Sequence, residues 1–275
     1  MRDVTGPPAA EPLRWQDGVW RVAEAGAAPQ EMPVAIVIDG MSQAVLMATP
    51  HDLRDFALGF ALTEGLIASP ADVQAYDEAE VEAGGFPARE ARLWLRPGLA
   101  AGLAADMAER RRSMVGPVGC GLCGVDSIAQ ALPAVVPVVS DWTMPPQDVA
   151  RAMAGLAAGQ ALRRETPAIH AAGFWDGQGA VVREDVGRHN ALDKLAGALC
   201  AAGINAGQGA VVMSSRLSVD LVQKCARIGA PVLIGASAPT RLALDWATRA
   251  GMTLIARARG DAFDLYTHPD RIAGS

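Results

Sequence analysis

Between residues 168 and 259 the chain alternates short apolar runs with amphipathic stretches, and that order is the strongest constraint on its fold. IHAAGFW and GAVVRED read as a β-hairpin turned at Asp176-Gly177, and HNALDKLAGALCAAG reads as a helix ended by Gly203. GAVVMSS, PVLIGAS and TLIARA read as strands, separated by the helices SVDLVQKCARIG and TRLALDWATRAG. Strand–helix–strand alternation with short connections requires a partly parallel sheet with helices packed on it. The expected class is α/β, or α+β when the whole chain is counted.

The first half is built differently. VWRVA (19–23), PVAIVIDG (33–40) and AVLMAT (44–49) read as strands punctuated by Gly, Asp and Pro. Thr49-Pro50 is expected to cap and open a helix, HDLRDFALGFALTEGLI, whose Leu53, Phe56, Ala57, Phe60 and Ala61 recur at helical spacing. A strand at 91–95 and an Ala-rich helix ending in Arg110-Arg111-Arg112 complete an expected N-terminal α+β domain over 1–115, followed by a C-terminal domain over 116–275. A further helix is expected near 146–163.

Composition narrows the function classes. With 275 residues and 51% hydrophobic side chains the chain has room for a real core and is too apolar to be disordered throughout. No run of about 18 apolar residues suggests a membrane-spanning helix, and no apolar stretch near the start reads as a secretory signal, so a cytoplasmic protein is expected. Residues 1–115 hold 10 basic and 17 acidic groups, giving −7, whereas residues 116–275 hold 14 and 13, giving +1. A general nucleic-acid binder would be more basic. The near-neutral second part retains the capacity to hold a compact anion.

Two of the four cysteines stand three apart, as Cys120-Gly-Leu-Cys123, inside VGPVGCGLCG. The glycines mark a loop, which speaks against two small core residues. A structural zinc site needs four ligands, and Cys200 and Cys225 lie inside expected helices with no partner at ligand spacing. A thioredoxin-like site would place the first cysteine at a helix N-terminus, which the flanking glycines do not favour. A thiol-bearing loop that meets one partner and then another suits a group carrier, and the nearby arginines Arg110 to Arg112 are candidates for lowering a thiol pKa.

Three further constellations carry charge. The run Arg183-Glu-Asp-Val-Gly-Arg188-His189-Asn190-Ala-Leu-Asp193-Lys194 spans a strand end and a helix start, where open α/β sheets bind ligands; a solvated, well-capped helix start is the plainer reading. Ser214-Ser215-Arg216-Leu217-Ser218 and Ser237-Ala238-Pro239-Thr240-Arg241 each set hydroxyls and an arginine where a helix opens, which suits phosphate. With Arg257-Ala258-Arg259-Gly260-Asp261 they suggest a phosphate-rich ligand such as a nucleotide, held without a P-loop or Rossmann fingerprint. His170 sits in an apolar strand, where a lone histidine is more often structural. A zinc deaminase would need H-x-E before P-C-x-x-C; here Ala172 replaces the glutamate and the cysteines come first, so deamination is excluded.

Taken together, GCGLCG, REDVGRHNALDK, SRLSVDLVQK followed by SAPT, TPHDLRDFALGFALTEGLI and the terminal YTHP resemble the formate dehydrogenase accessory sulfurtransferase family, FdhD/NarQ, from about Pro33 to Arg271. The resemblance implies a sulfur carrier in molybdenum cofactor biosynthesis. Such a protein takes sulfur from a cysteine desulfurase as a cysteine persulfide. It delivers the sulfur to bis-molybdopterin guanine dinucleotide, the molybdenum cofactor of a formate dehydrogenase. Carried over by position, Cys120 would hold the persulfide and Cys123 would assist, while Arg257, Ala258, Arg259, Gly260, Asp261 and Ala262 would form a cofactor-binding segment. His170, Arg188, His189, Ser237 and Thr240 join that binding set as candidates, with a guanine nucleotide as a possible smaller ligand. The implied fold is cytidine-deaminase-like in the C-terminal part with a smaller N-terminal domain, often as a homodimer. The chain departs from the family where Thr166-Pro167-Ala168 replaces Thr-Gly-Gly, at Ser215, and at Ala256-Arg257. A cofactor-binding chaperone and a thiol–disulfide oxidoreductase are the competing readings of the same residues.

Overall fold

The computed structural model describes residues 12–23, 28–99, 134–135 and 137–273. The expected domain boundary after residue 115, the Ala-rich helix ending at Arg112, and Cys120 and Cys123 lie outside these residues.

The C-terminal alternation forms one six-stranded mixed sheet. Its strands are β7 (His170–Trp175), β8 (Ala180–Asp185), β9 (Ala210–Met213), β10 (Val232–Gly235), β11 (Thr253–Arg259) and β12 (Ala262–Thr267), in the order β12-β11-β10-β9-β7-β8. β9, β10 and β11 run parallel, β12 and β7 run antiparallel to them on either side, and the outermost β8, antiparallel to β7, runs in their direction again. Helices α4 (Arg188–Ala201), α5 (Val219–Arg227) and α6 (Arg241–Ala250) cover one face, where Leu192, Leu195, Val211, Met213, Leu221, Leu233 and Leu254 are buried together. Helix α2 (Pro146–Gly159) covers the other face over Ala210, Val212, Val232, Ile234 and Ile255, and the short α3 (Ala161–Glu165) follows it. Burial on both faces is why the central strands read as uninterrupted apolar runs. β12 was not among the expected elements; β11 turns back on itself at Gly260-Asp261 and recruits it.

The first half forms a four-stranded sheet, order β4-β3-β6-β5, from β3 (Met32–Ile38), β4 (Met41–Ala48), β5 (Val73–Ala83) and β6 (Phe86–Leu95). Helix α1 (Leu53–Thr63) packs Leu53, Phe56, Ala57 and Phe60 against Val34, Ile36, Ile38, Ala91 and Leu93. β1 (Leu13–Gln16) and β2 (Val19–Val22) form a separate hairpin. β5 was also missed, because VQAYDEAEVEA alternates acids with alanine and carries little strand propensity of its own. Its ladder with β6 imposes the conformation.

One expectation fails in an instructive way. Thr49 does not cap α1; that position belongs to Asp52, in a left-handed conformation. Thr49 instead joins the two halves: its amide donates to Asp185 Oδ2 at 3.0 Å, and its hydroxyl accepts from Val186 N at 3.1 Å. The α1–α4 crossing is equally intimate. A Cβ on Gly59 would lie 1.7 Å from Asp193 O, and one on Gly197 would lie 1.9 Å from Asp55 O.

Candidate functional site

The carboxyl ends of β9, β10 and β11 turn directly into loops and helix starts, and that edge gathers most of the described charged motifs. After β9, Ser214 is tied back to β7: its hydroxyl accepts from Ala171 N at 2.8 Å and its amide donates to Ala171 O at 3.0 Å. Leu217 plugs the turn beneath Gly235, where any Cβ would stand 2.7 Å from the leucine side chain. Thr240 N donates to Leu217 O at 2.9 Å, so the turns after β9 and β10 brace each other. Arg257 N donates to Ser237 O at 3.3 Å and brings β11 alongside. The first residues of α4, α5 and α6 therefore open on one edge with the positive ends of their dipoles, and α4 and α5 have no side-chain cap.

Local chemistry then distinguishes the candidates. His189 Nε2 contacts Asp220 Oδ2, joining the first turns of α4 and α5. Burial, with Arg188 and Lys224 nearby, outweighs the Asp220 carboxylate and pushes the His189 pKa down to about 4, so the ring is neutral at physiological pH. Burial also lowers the pKa of His170, assisted by Arg188 and Arg163. Among the described residues, His170 Nδ1, Arg188 Nε and Ser218 Oγ are buried here with no hydrogen-bond partner. Buried polar groups in folded chains are almost always satisfied, so these two nitrogens and a hydroxyl, near the starts of β7, α4 and α5, are free to take a polar ligand.

The remaining predicted residues divide by role. Thr240 caps α6 by accepting from Ala243 N at 3.2 Å, the plain structural role its position allows. Arg257 has a left-handed backbone in a bulge of β11, and its exposed guanidinium pairs with Asp264 across the β11–β12 hairpin. Arg259 and Ala262 close that hairpin around Gly260 and Asp261, whose φ of 59° at Gly260 suits glycine; Ala258 beside them is buried. Asn190 does not cap α4. Its amide donates to Met47 O and to Asp185 Oδ1, both at 2.9 Å, and the cap position is Gly187.

The motif 183–194 is thus split between two jobs. Asp185, Asn190 and Lys194 are buried cross-links to the strand end at Met47–Thr49, and Glu184 accepts from the Leu162 and Arg163 amides to start α3. Arg188 and His189 alone face the edge. Asp220, which the sequence reading did not single out, offered no signal beyond an acid in the first turn of a helix. Ser218 stood in a quoted turn without being selected. Cys225 is buried and Cys200 half-buried, with burial pushing both thiols up. A cleft of about 680 Å³ lies at the other end of α4, lined by Leu66, Leu199, Cys200, Ile204 and Arg227, and has no residue in common with the strand-end edge.

Comparison with known proteins gives this edge a context. The FdhD/NarQ family pattern matches residues 29–273. The chain is 49% identical over 250 residues to the sulfur carrier protein FdhD of Agrobacterium fabrum, covering 90% of this chain and 89% of that one. It is 42% identical over 268 residues to the sulfur carrier protein FdhD of Bordetella bronchiseptica, covering 96% and 94%. In fold it is similar to a crystal structure described as a formate dehydrogenase accessory protein from Desulfotalea psychrophila. The TM-score is 0.70 at 23% identity, over 96% of this chain and 97% of the other.

Proposed function

From the premise that this chain belongs to the FdhD/NarQ family, we propose that it is a sulfur carrier serving a formate dehydrogenase, and that it binds its acceptor at the strand-end edge described above. The sulfur comes from a cysteine desulfurase. The Cys120 thiolate attacks the outer sulfur of the donor's persulfide, the donor's S–S bond breaks, and the donor leaves as a thiolate while Cys120 becomes the persulfide. Cys123, three residues on, assists the hand-over. The acceptor is the molybdenum cofactor in its bis-molybdopterin guanine dinucleotide form, a substrate of this protein and not a resident group.

The observation that carries the binding half of this reading is the trio of open, buried polar atoms on His170, Arg188 and Ser218. Arg188 presents a fixed positive charge, Ser218 a hydroxyl and His170 a neutral ring nitrogen. Arg188 and Ser218 sit at helix starts whose amides favour the phosphates of a dinucleotide. Ser237 and the 257–262 hairpin border the same edge and supply exposed arginines. The protein acts as a cytoplasmic homodimer on this reading; among the described residues no helix is long and apolar enough to cross a membrane.

Mass measurement tests the carrier half. After incubation with a cysteine desulfurase and cysteine, the chain should gain the mass of one sulfur atom, the gain should be reversed by reductant, and Cys120→Ala should abolish it. A chain that supports formate dehydrogenase activity equally well as Cys120→Ala is a cofactor chaperone instead. Turnover of a dithiol through a Cys120–Cys123 disulfide, without any persulfide, would identify an oxidoreductase.

A further inference from the structure

Where the two halves of the chain meet, the packing leaves a hollow. The cleft of about 680 Å³ at the far end of α4 lies between the last turn of α1, the segment 65–72, and the last turns of α4 and α5. Leu62, Leu66, Ile67, Leu199, Ile204 and Ile228 make its walls apolar. Its volume falls within the range of about 300–1,000 Å³ typical of small-molecule sites, which concentrate at junctions of this kind.

Both rims are braced by their own chain. Gly65, at φ 69°, turns the chain out of α1, and the Leu66 and Ile67 amides donate back to Ala61 O at 2.8 and 3.2 Å. Asp72 accepts from the Ala68 and Ser69 amides at 2.8 and 2.9 Å, which holds the next turn and engages its carboxylate. After α4, Ile204 N donates to Leu199 O at 2.9 Å, and Asn205 Oδ1 accepts from Gly207 N at 2.9 Å. Ala230 N closes α5 by donating to Cys225 O at 3.0 Å. The walls are preformed, so a ligand would not have to order them.

Arg227 is different. It stands exposed in the last turn of α5, and among the described residues it has neither an ion pair nor a hydrogen bond. Its guanidinium lies across Gly65, where a Cβ would stand 2.5 Å from Nη1 and 3.0 Å from Cζ. Any side chain at position 65 would push it aside. The glycine therefore both turns the chain and seats a positive charge against the apolar wall.

We propose that this cleft binds a small molecule with an apolar body and one carboxylate. The body fills the space between Leu66, Leu199 and Ile204, and the carboxylate accepts paired N–H bonds from the Arg227 guanidinium. An anion is the complement because Asp72 and Arg227 are the charged side chains of the lining, and Asp72 is already engaged by two amides. Cys200, half-buried on the same wall, makes occupancy visible, since a bound ligand covers its thiol. This inference is independent of the sulfur-carrier reading.

Alkylation of Cys200 in the full chain carrying Cys120→Ala/Cys123→Ala tests it, with decanoate below its micellar range as the probe. Decanoate should slow the native reaction about tenfold or more, whereas decylammonium should leave the rate near its original value. Arg227→Gln should weaken decanoate binding about tenfold or more, and Arg227→Lys should restore much of it. Isothermal titration calorimetry on the unmodified chain should show one decanoate per chain with the same dependence on Arg227. Unchanged melting curves for both Arg227 variants separate a lost ligand contact from a lost fold. Equal protection by decylammonium overturns the proposal. So does binding that survives intact in Arg227→Gln, or no binding of decanoate at all.

Discussion

Lys194 Nζ lies 2.7 Å from Asp185 Oδ2, and neither side chain has any exposure to solvent. The lysine also donates to Thr49 O at 2.9 Å. The carboxylate accepts from Thr49 N, Gly187 N and Asn190 Nδ2 as well. Every lone pair has a donor, so the pair and its neighbours form a closed network that locks the β4–α1 corner to the start of α4. The chain has only two lysines, and the other, Lys224, is used in the same way. Burial works against its charge, but Asp193 and Glu64 outweigh that and hold the ammonium well above its ordinary range.

Lys194→Met should therefore destabilise the fold by about 3–5 kcal/mol, because it leaves the Asp185 carboxylate buried without its counter-charge. Adding Asp185→Leu should not restore stability, since three N–H donors then lose their acceptor. Equilibrium denaturation of the single and double variants checks both statements; a double variant as stable as the parent would show the network to be dispensable.

Gly197→Ala tests the α1–α4 crossing. In an exposed helix the change would stabilise by up to about 1 kcal/mol. Here the new methyl would meet Asp55 O at 1.9 Å, backbone against side chain with nothing flexible to yield. Overpacking of this sort costs about 1–3 kcal/mol and occasionally more, so the net sign is destabilising. A lowered melting temperature is expected, and a raised one would mean that the helices can separate freely.

These two features show where reading the sequence stops. The C-terminal sheet was legible because β9, β10 and β11 are buried on both faces and their apolar runs have no other use. The hairpin at Asp176-Gly177 was legible from its turn chemistry. The partners of Asp185 were not, because Thr49 is 136 residues away and a run dense in charge looks solvated when read along the chain. Gly59 and Gly197 gave no signal because a glycine needed for close approach is spelled like any other. At the edge, Arg188, His170 and the serine turns were visible as types of residue, whereas Asp220 became interesting only once α5 was placed against α4.

The pH dependence of stability follows from His189. Its folded pKa of about 4 lies below the ordinary 6.5, so between those values the unfolded chain takes up a proton that the folded chain does not. Stability should be full above about pH 6.5 and fall as the pH drops towards 4, by at most about 3 kcal/mol, with His170 acting in the same direction. His189→Gln should flatten the curve in that window. A wild-type profile that is level between those limits would show that the ring is protonated in the fold, as a salt bridge to Asp220.

Thiol chemistry should sort the four cysteines. Burial raises the Cys225 thiol and denies it access, so it should react with a thiol reagent only after denaturation. Cys200 should react slowly in the native chain, being half-buried with its thiol also raised. Rapid native labelling should then disappear in Cys120→Ala/Cys123→Ala. Rapid labelling that survives in that variant would place the reactive thiol elsewhere and remove the basis for assigning the carrier role to the pair.

Binding and capping can be told apart at the strand-end edge. Arg188→Ala removes a half-buried guanidinium whose Nε has no partner among the described residues, so the fold should lose little while binding of a guanine nucleotide, used as a probe, weakens about tenfold or more. Ser218→Ala should act in the same direction with a smaller effect, for the same reason. Thr240→Ala should behave oppositely: its hydroxyl is spent on Ala243 N, so the change should lower stability by about 1 kcal/mol and leave nucleotide binding near its original value. If Arg188→Ala instead destabilised the chain and Thr240→Ala abolished binding, the ligand would have to sit over α6 and not between α4 and α5. The open atoms on Arg188 and Ser218 would then need another explanation.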